Sequence, residues 1–285
     1  MTSLITTGLR RLIGGDEGLG LGQHQATVVA VCAQKGGVGK TTTAVNLAAG
    51  LAMYGGAKVL LVDMDGQGHC ATALQAELRG AAADSLGAVL LGRRRDLQEI
   101  ALRTAIDGLW VVPSDKDLGA TEGVMSGRIG KEMLLRSALK VARTHYDVIV
   151  VDCPPNLGSL TVNALVAADW LLVPCDMSVL SVEGVDDIFD AVDHIGETMG
   201  HHLAVLGILR TRYDARNQKV NEAVEASLAR YEHYVLPVRV PVNTALAQAQ
   251  LAGTPIFKYD AECRSAVAYR EVVEEVTRRA QMRAR

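Results

Sequence analysis

Eight consecutive residues carry the densest chemistry in this chain: Lys35, Gly36, Gly37, Val38, Gly39, Lys40, Thr41 and Thr42. The window has no glycine at the first place of GxxxxGK[ST] but keeps the rest of that phosphate-binding pattern. Its glycines let backbone N–H groups turn toward phosphate oxygens. An apolar, β-branched run at 27–33 precedes it and a helical pattern follows, so a bound anion meets the partial positive charge of a helix N-terminus. Lys40 is placed to reach the β- and γ-phosphates of a nucleoside triphosphate, and Thr41 to ligate Mg²⁺. Lys35 is surplus to that chemistry, because a simple phosphate loop needs no second lysine.

Carboxylates close two further apolar runs. Residues 58–63 lead into Asp63-Met64-Asp65. Two carboxylates at this spacing point the same way if the strand stays extended, and near phosphates one of them can position an attacking water. Residues 147–152 end on Asp152, before Cys153-Pro154-Pro155. An acidic residue after a buried strand is the Walker B pattern, which holds Mg²⁺ through a bound water. The five cysteines (Cys32, Cys70, Cys153, Cys175, Cys263) form no CxxC pair, so they read as reduced, mostly buried thiols and not as a disulfide or zinc framework.

The elements that must hold these groups follow from periodicity. Apolar runs at 27–33, 58–63, 109–113, 147–152, 170–174, 203–209 and 234–240 read as strands. Helical patterns fall at 40–54, 133–144, 182–199, 220–231 and 265–283, with a variable helical region before 109. In the first helix Ala44, Leu47, Ala48 and Leu51 share a face. Buried strands alternating with helices predict one α/β domain over 27–285, a largely parallel central sheet with helices on both faces. Ligands in such sheets bind beyond the carboxyl ends of the strands. Residues 1–26 read as an extension: a short amphipathic segment (Leu4, Ile5, Leu9, Leu12, Ile13) and a glycine-rich linker.

Composition narrows the functions. The 285 residues are 49% hydrophobic and 21% charged, which excludes a wholly disordered chain. Aromatics at 4% argue against a stacking platform for single-stranded nucleic acid. The net charge of −3 excludes a globally basic binder but leaves room for a local basic face. With neither a signal peptide nor an apolar span, a soluble, cytoplasmic protein is expected.

Lys35-Gly36-Gly37-Val38-Gly39-Lys40-Thr41, the Asp63/Asp65 pair and Asp152-Cys153-Pro154-Pro155 together resemble the deviant Walker A ATPases of the ParA/MinD family. The resemblance spans about residues 27–277 and is nearest the ParA/Soj branch. It implies a P-loop NTPase fold and ATP with Mg²⁺ as cofactors. It implies that Lys35 crosses a dimer interface to the partner's ATP, that Asp65 holds the hydrolytic water, and that Asp152 holds Mg²⁺ through water. Gly66 stands where the family has proline. Asn163, Asp214 and Arg216 match further family positions. Val240-Pro241-Val242-Asn243 resembles a segment lining the adenine pocket, which assigns Pro241 and Asn243 there; Gly253 supports the register. Ala245 stands where many relatives carry arginine.

The resemblance also implies partners: a homodimer when ATP-bound, nonspecific double-stranded DNA, and a ParB-like or other cargo adaptor. A nucleoid-associated protein is then expected. Candidate phosphate contacts are Arg210, Arg212, Arg216, Lys219, Arg239, Lys258, Arg264 and Arg270. Two alternatives stand beside this one. A MinD-like membrane regulator would need an apolar C-terminal stripe, and Glu271, Glu274 and Glu275 oppose anionic lipid there. The other is a metabolic P-loop ATPase: an iron–sulfur reductase is opposed by the absence of a cluster-ligating cysteine arrangement, and a dethiobiotin synthetase by the ParA-like switch motifs.

Overall fold

The computed structural model describes residues 25–281 apart from 83, 95 and 115. The amphipathic segment and linker expected at the N-terminus therefore lie outside the described residues, as do the last residues of the closing helix.

Nine strands form the sheet: β1 (Thr27–Val31), β2 (Val59–Asp63), β3 (Leu78–Arg79), β4 (Leu102–Thr104), β5 (Leu109–Val112), β6 (Val148–Asp152), β7 (Trp170–Asp176), β8 (Ala204–Tyr213) and β9 (Val235–Pro241). The helices, in chain order, are α1 (Lys40–Gly55), α2 (His69–Ala73), α3 (Leu86–Leu90), α4 (Leu118–Met125), α5 (Leu134–Ala142), α6 (Ser159–Ala167), α7 (Val179–Met199), α8 (Gln218–Leu228), α9 (Thr244–Ala252), α10 (Ile256–Tyr259) and α11 (Arg264–Gln281).

Strand order is β3-β4-β5-β2-β6-β1-β7-β8-β9. From β5 to β9 every pairing is parallel, while β3–β4 and β4–β5 are antiparallel. The seven expected strands are all present. The edge strands β3 and β4 are not in the expected set, because two and three residues are too few to show a period.

Side chains alternate across the sheet and build two cores. Val28, Ala30, Leu60, Val62, Ile149 and Val151 pack with α5, α6 and α7 on one face. Val29, Val31, Leu61, Val148 and Val150 pack with α1 and α11 on the other. Helix α1 is buried beyond the expected face, since Thr43, Val45, Asn46, Ala49 and Gly50 are buried too. The reason is α11. At Gly50 a Cβ would lie 2.6 Å from Val273 Cγ2, so the two helices approach closely only because that position is glycine. Helix α6 was also not foreseen: it is buried nearly all round, and its sequence has no polar stripe to reveal a helical period.

β1 lies in the middle, with β6 and β2 on one side and β7, β8 and β9 on the other. The chain after β1 therefore emerges at a switch point of the topology, with acidic strand ends to one side and the β8–β9 ends to the other.

Candidate functional site

The loop after β1 enters α1 at Gly39, whose φ of +91° only glycine tolerates well; Gly37 has φ +78°. No side chain caps α1 and its first turn holds no acid, so its N-terminal N–H groups are left for an anion. Lys40 is 6% exposed, and its Nζ donates to Lys35 O at 2.9 Å. Burial lowers its proton affinity, and the Asp152 carboxylate opposes that shift. An ammonium held this way gains a strong partner when phosphate enters.

A cleft of about 600 Å³ opens here. Gly36, Gly37, Gly39, Lys40, Thr41 and Thr42 line it, together with Asp65, Pro241 and Asn243. Asn243 also caps α9, accepting the Ala245 N–H at 2.9 Å. Val38 turns away from the cleft: its side chain is buried and its carbonyl accepts from Thr211 Oγ1 at 2.7 Å.

Asp63 and Asp65 do not share a direction. The strand ends at Asp63, whose side chain is wholly buried. Its Oδ1 accepts the Asp65 N–H and its Oδ2 the Cys70 N–H, both at 3.0 Å, so it clamps both ends of the loop that presents Asp65. Sequence reasoning gave Asp63 no role of its own; the signal was present in the D-x-D spacing. Within the loop Asp65 Oδ1 accepts the Gln67 N–H at 3.0 Å, and Gly68 N–H donates to Asp65 O at 2.9 Å. This side-chain turn supplies the bend where the family has proline and the chain has Gly66.

Asp152 ends β6 beneath the cleft, wholly buried. Cys70 Sγ donates to its Oδ2 at 3.3 Å. Its Oδ1 is buried without a hydrogen-bond partner, although a buried acceptor ordinarily has one. Burial raises the pKa of both Asp63 and Asp152 above the ordinary carboxylate range, and Asp152 repulsion adds to the shift at Asp63. The orphaned Asp152 oxygen and the Thr41 hydroxyl are hard-oxygen donors of the kind that suits Mg²⁺ with its waters.

Lys35 is not in its own cleft. Its Nζ lies 3.3 Å from Asp176 and donates to Ser178 Oγ at 2.8 Å. Burial works to raise the Asp176 proton affinity, but hydrogen bonds from Ser178, Ser181 and Lys35 hold it below the usual range.

A family profile described as an AAA domain matches residues 26–205. The chromosome partitioning protein ParA of Caulobacter vibrioides is 35% identical over 254 residues, which cover 88% of this chain and 94% of that one. The sporulation initiation inhibitor protein Soj of Bacillus subtilis is 35% identical over 249 residues, covering 87% and 97%. The chain belongs to the ParA/MinD family of P-loop ATPases. A solved structure, that of cobyrinic acid a,c-diamide synthase from Mycobacterium smegmatis with bound ATP analogue and magnesium, is 31% identical. It superposes with a TM-score of 0.74, covering 91% of this chain and 97% of that one.

The structure sorts the basic residues of this ParA-family chain unevenly. Arg210 is buried, with its guanidinium on Glu225 at 2.7 Å and on Leu236 O at 2.6 Å, so it cannot meet DNA. Arg212 lines the nucleotide cleft and donates to Gly37 O at 3.2 Å. Lys258 is held by the buried Glu77 at 2.6 Å. Each of these three is engaged by a protein acceptor remote in sequence, which gave no local signal. Arg216 is 86% exposed and paired with Asp214, and Arg239 reaches Glu225 at 3.1 Å while lying over the Tyr213 ring. Lys219, Arg264 and Arg270 have no acidic partner among the described residues. Asn163 is a strut: it accepts the Leu135 N–H and donates to the Lys131 and Ser159 carbonyls. Among the described residues no helix is long and apolar enough to cross a membrane.

Proposed function

We propose that this chain is an ATP-fuelled partition or positioning protein whose ATP-bound homodimer binds double-stranded DNA without sequence preference. Lys40 and the N–H groups of 36–42 hold the triphosphate. Thr41 and Asp152 hold Mg²⁺, Asp152 through water, and Pro241 and Asn243 flank the adenine. Mg²⁺ supplies charge neutralisation at the β- and γ-phosphates. Asp65, which lines the same cleft, orients the hydrolytic water. A cargo adaptor of ParB-like type accelerates a slow basal turnover, and the chain resides in the cytoplasm on the nucleoid. Lys219, Arg264 and Arg270, with the exposed Arg216 and Arg239, supply phosphate contacts that a dimer doubles.

The observation that carries this reading is Lys35. A lysine belonging to a phosphate loop but parked outside its own cleft, on Asp176 and Ser178, is free to exchange that carboxylate for a partner's phosphates. Light scattering tests it. The parent chain is expected to double in mass with ATP and Mg²⁺ and to stay monomeric with ADP. Lys35→Ala is expected to bind ATP but remain monomeric, and an intact ATP dimer of that variant overturns the shared-site reading.

A second reading, a metabolic synthase, draws on the name of the Mycobacterium smegmatis neighbour. It predicts ATP turnover that depends on a small molecule and ignores DNA.

A further inference from the structure

Among the described residues, Asp63, Cys70 and Asp152 place ligand atoms within 4.8 Å of one another. Cys70 is the member that the phosphate chemistry leaves unused. It lies in α2, the short helix directly after the loop that presents Asp65, and it is wholly buried. Its backbone is fixed by the N–H donated to Asp63 Oδ2. Its thiol donates to Asp152 Oδ2 at 3.3 Å.

Asp152 therefore presents two unlike oxygens. Oδ2 is engaged by the thiol, while Oδ1 is buried and has no partner. A carboxylate turns easily about its terminal bond, because that torsion has broad minima. A donor on one oxygen sets the plane of the group and leaves the other oxygen for a second task. Thr41 and Lys40, which both line the cleft, act on the Asp152 carboxylate.

We propose that Cys70 is a positioning residue: its thiol pins Asp152 Oδ2, so that Oδ1 is kept for the metal-bound water. The inference rests on the ATP–Mg²⁺ reading above. Because Asp63 clamps the loop at both Asp65 and Cys70, one segment sets the carboxylate that orients water and the carboxylate that faces the metal. A hydroxyl at position 70 can repeat the donation, whereas a methyl group cannot.

The test uses the full chain, Cys70→Ala and Cys70→Ser, with Mg²⁺ titrated against a fluorescent ATP analogue. Melting of each nucleotide-free chain checks the fold. Cys70→Ala is expected to need about five-fold more Mg²⁺ for half-maximal binding, the size of one lost hydrogen bond, with metal-free affinity unchanged. Cys70→Ser is expected to stay within about two-fold of the parent, since it restores a donor. Should Cys70→Ala fail to fold, Cys70→Val fills the space without a donor and takes its place. No shift in the donorless variant overturns the proposal, as does an equal shift in Cys70→Ser, which would assign the effect to packing. A parent chain that shows no Mg²⁺-dependent binding at all overturns the ATP–Mg²⁺ reading itself, a different result from either.

Discussion

Lys40, Asp65 and Asp152 divide the chemistry among three settings that burial makes different. Lys40 is buried and donates to a backbone carbonyl, that of Lys35. Lys40→Ala is expected to weaken ATP binding at least about 100-fold, because charge-assisted phosphate contacts are among the strongest a side chain makes; equilibrium titration with a fluorescent analogue measures it. Asp65 lies in the cleft wall and contributes no bond that holds the fold beyond its own turn. Asp65→Ala is expected to bind ATP within about three-fold of the parent while turnover falls about 100-fold, the scale of a lost water-positioning group; phosphate release in single-turnover assays separates the two. These residues were legible in the sequence because each sits in a contiguous motif. Arg210 and Lys258 were not. Their roles depend on partners that only the fold delivers, such as Glu77 for Lys258, 181 positions away.

The segment after the Asp65 loop is tied to the α9–α10 corner. Ala76 N–H donates to Gly253 O at 3.0 Å, and the buried Glu77 accepts from Thr254 Oγ1 and Lys258 Nζ, both at 2.6 Å. Gly253 has φ +67°, and a Cβ there would collide with Gln75 Cγ and lie 2.9 Å from Ala76 N. Gly253→Ala is therefore expected to destabilise the chain by about 2 kcal/mol, from backbone strain plus the clash; urea melts measure it. Burial works against ionising Glu77, but hydrogen bonds from Lys258 and Thr254 hold its pKa below the ordinary value. A depressed carboxylate contributes stability above its unfolded value, about 4.3, and loses it as pH falls through the lower folded value. Glu77→Gln is expected to cost about 1–2 kcal/mol at pH 7, the half-exposed Lys258 tempering the loss, and to show a shallower decline in stability below pH 4 than the parent. The sequence placed Gly253 through its spacing from Asn243, yet Glu77 carried no mark of its role. A lone acidic residue beside an edge strand of two residues has no pattern to betray it.

Across the whole molecule, strand order decides which residues can act together. β6 and β2 bring Asp152 and Asp65 to one side of the phosphate loop, and β8 and β9 bring Thr211 and Pro241 to the other. The parallel character of this sheet was legible, because its strands are buried on both faces and read as unbroken apolar runs. The place of Lys35 was not, since Asp176 lies 141 residues away and the two meet only because β1 and β7 are neighbours. That parked lysine and the basic residues of α8 and α11 lead to the central claim, a DNA tether switched by nucleotide. The direct measurement is binding of the Asp65→Ala chain to duplex DNA of arbitrary sequence, with ATP and with ADP, across a salt series. The account predicts binding with ATP alone, falling steeply as salt rises, since released counterions drive the contact. Equal binding with both nucleotides, or none with either, would contradict it.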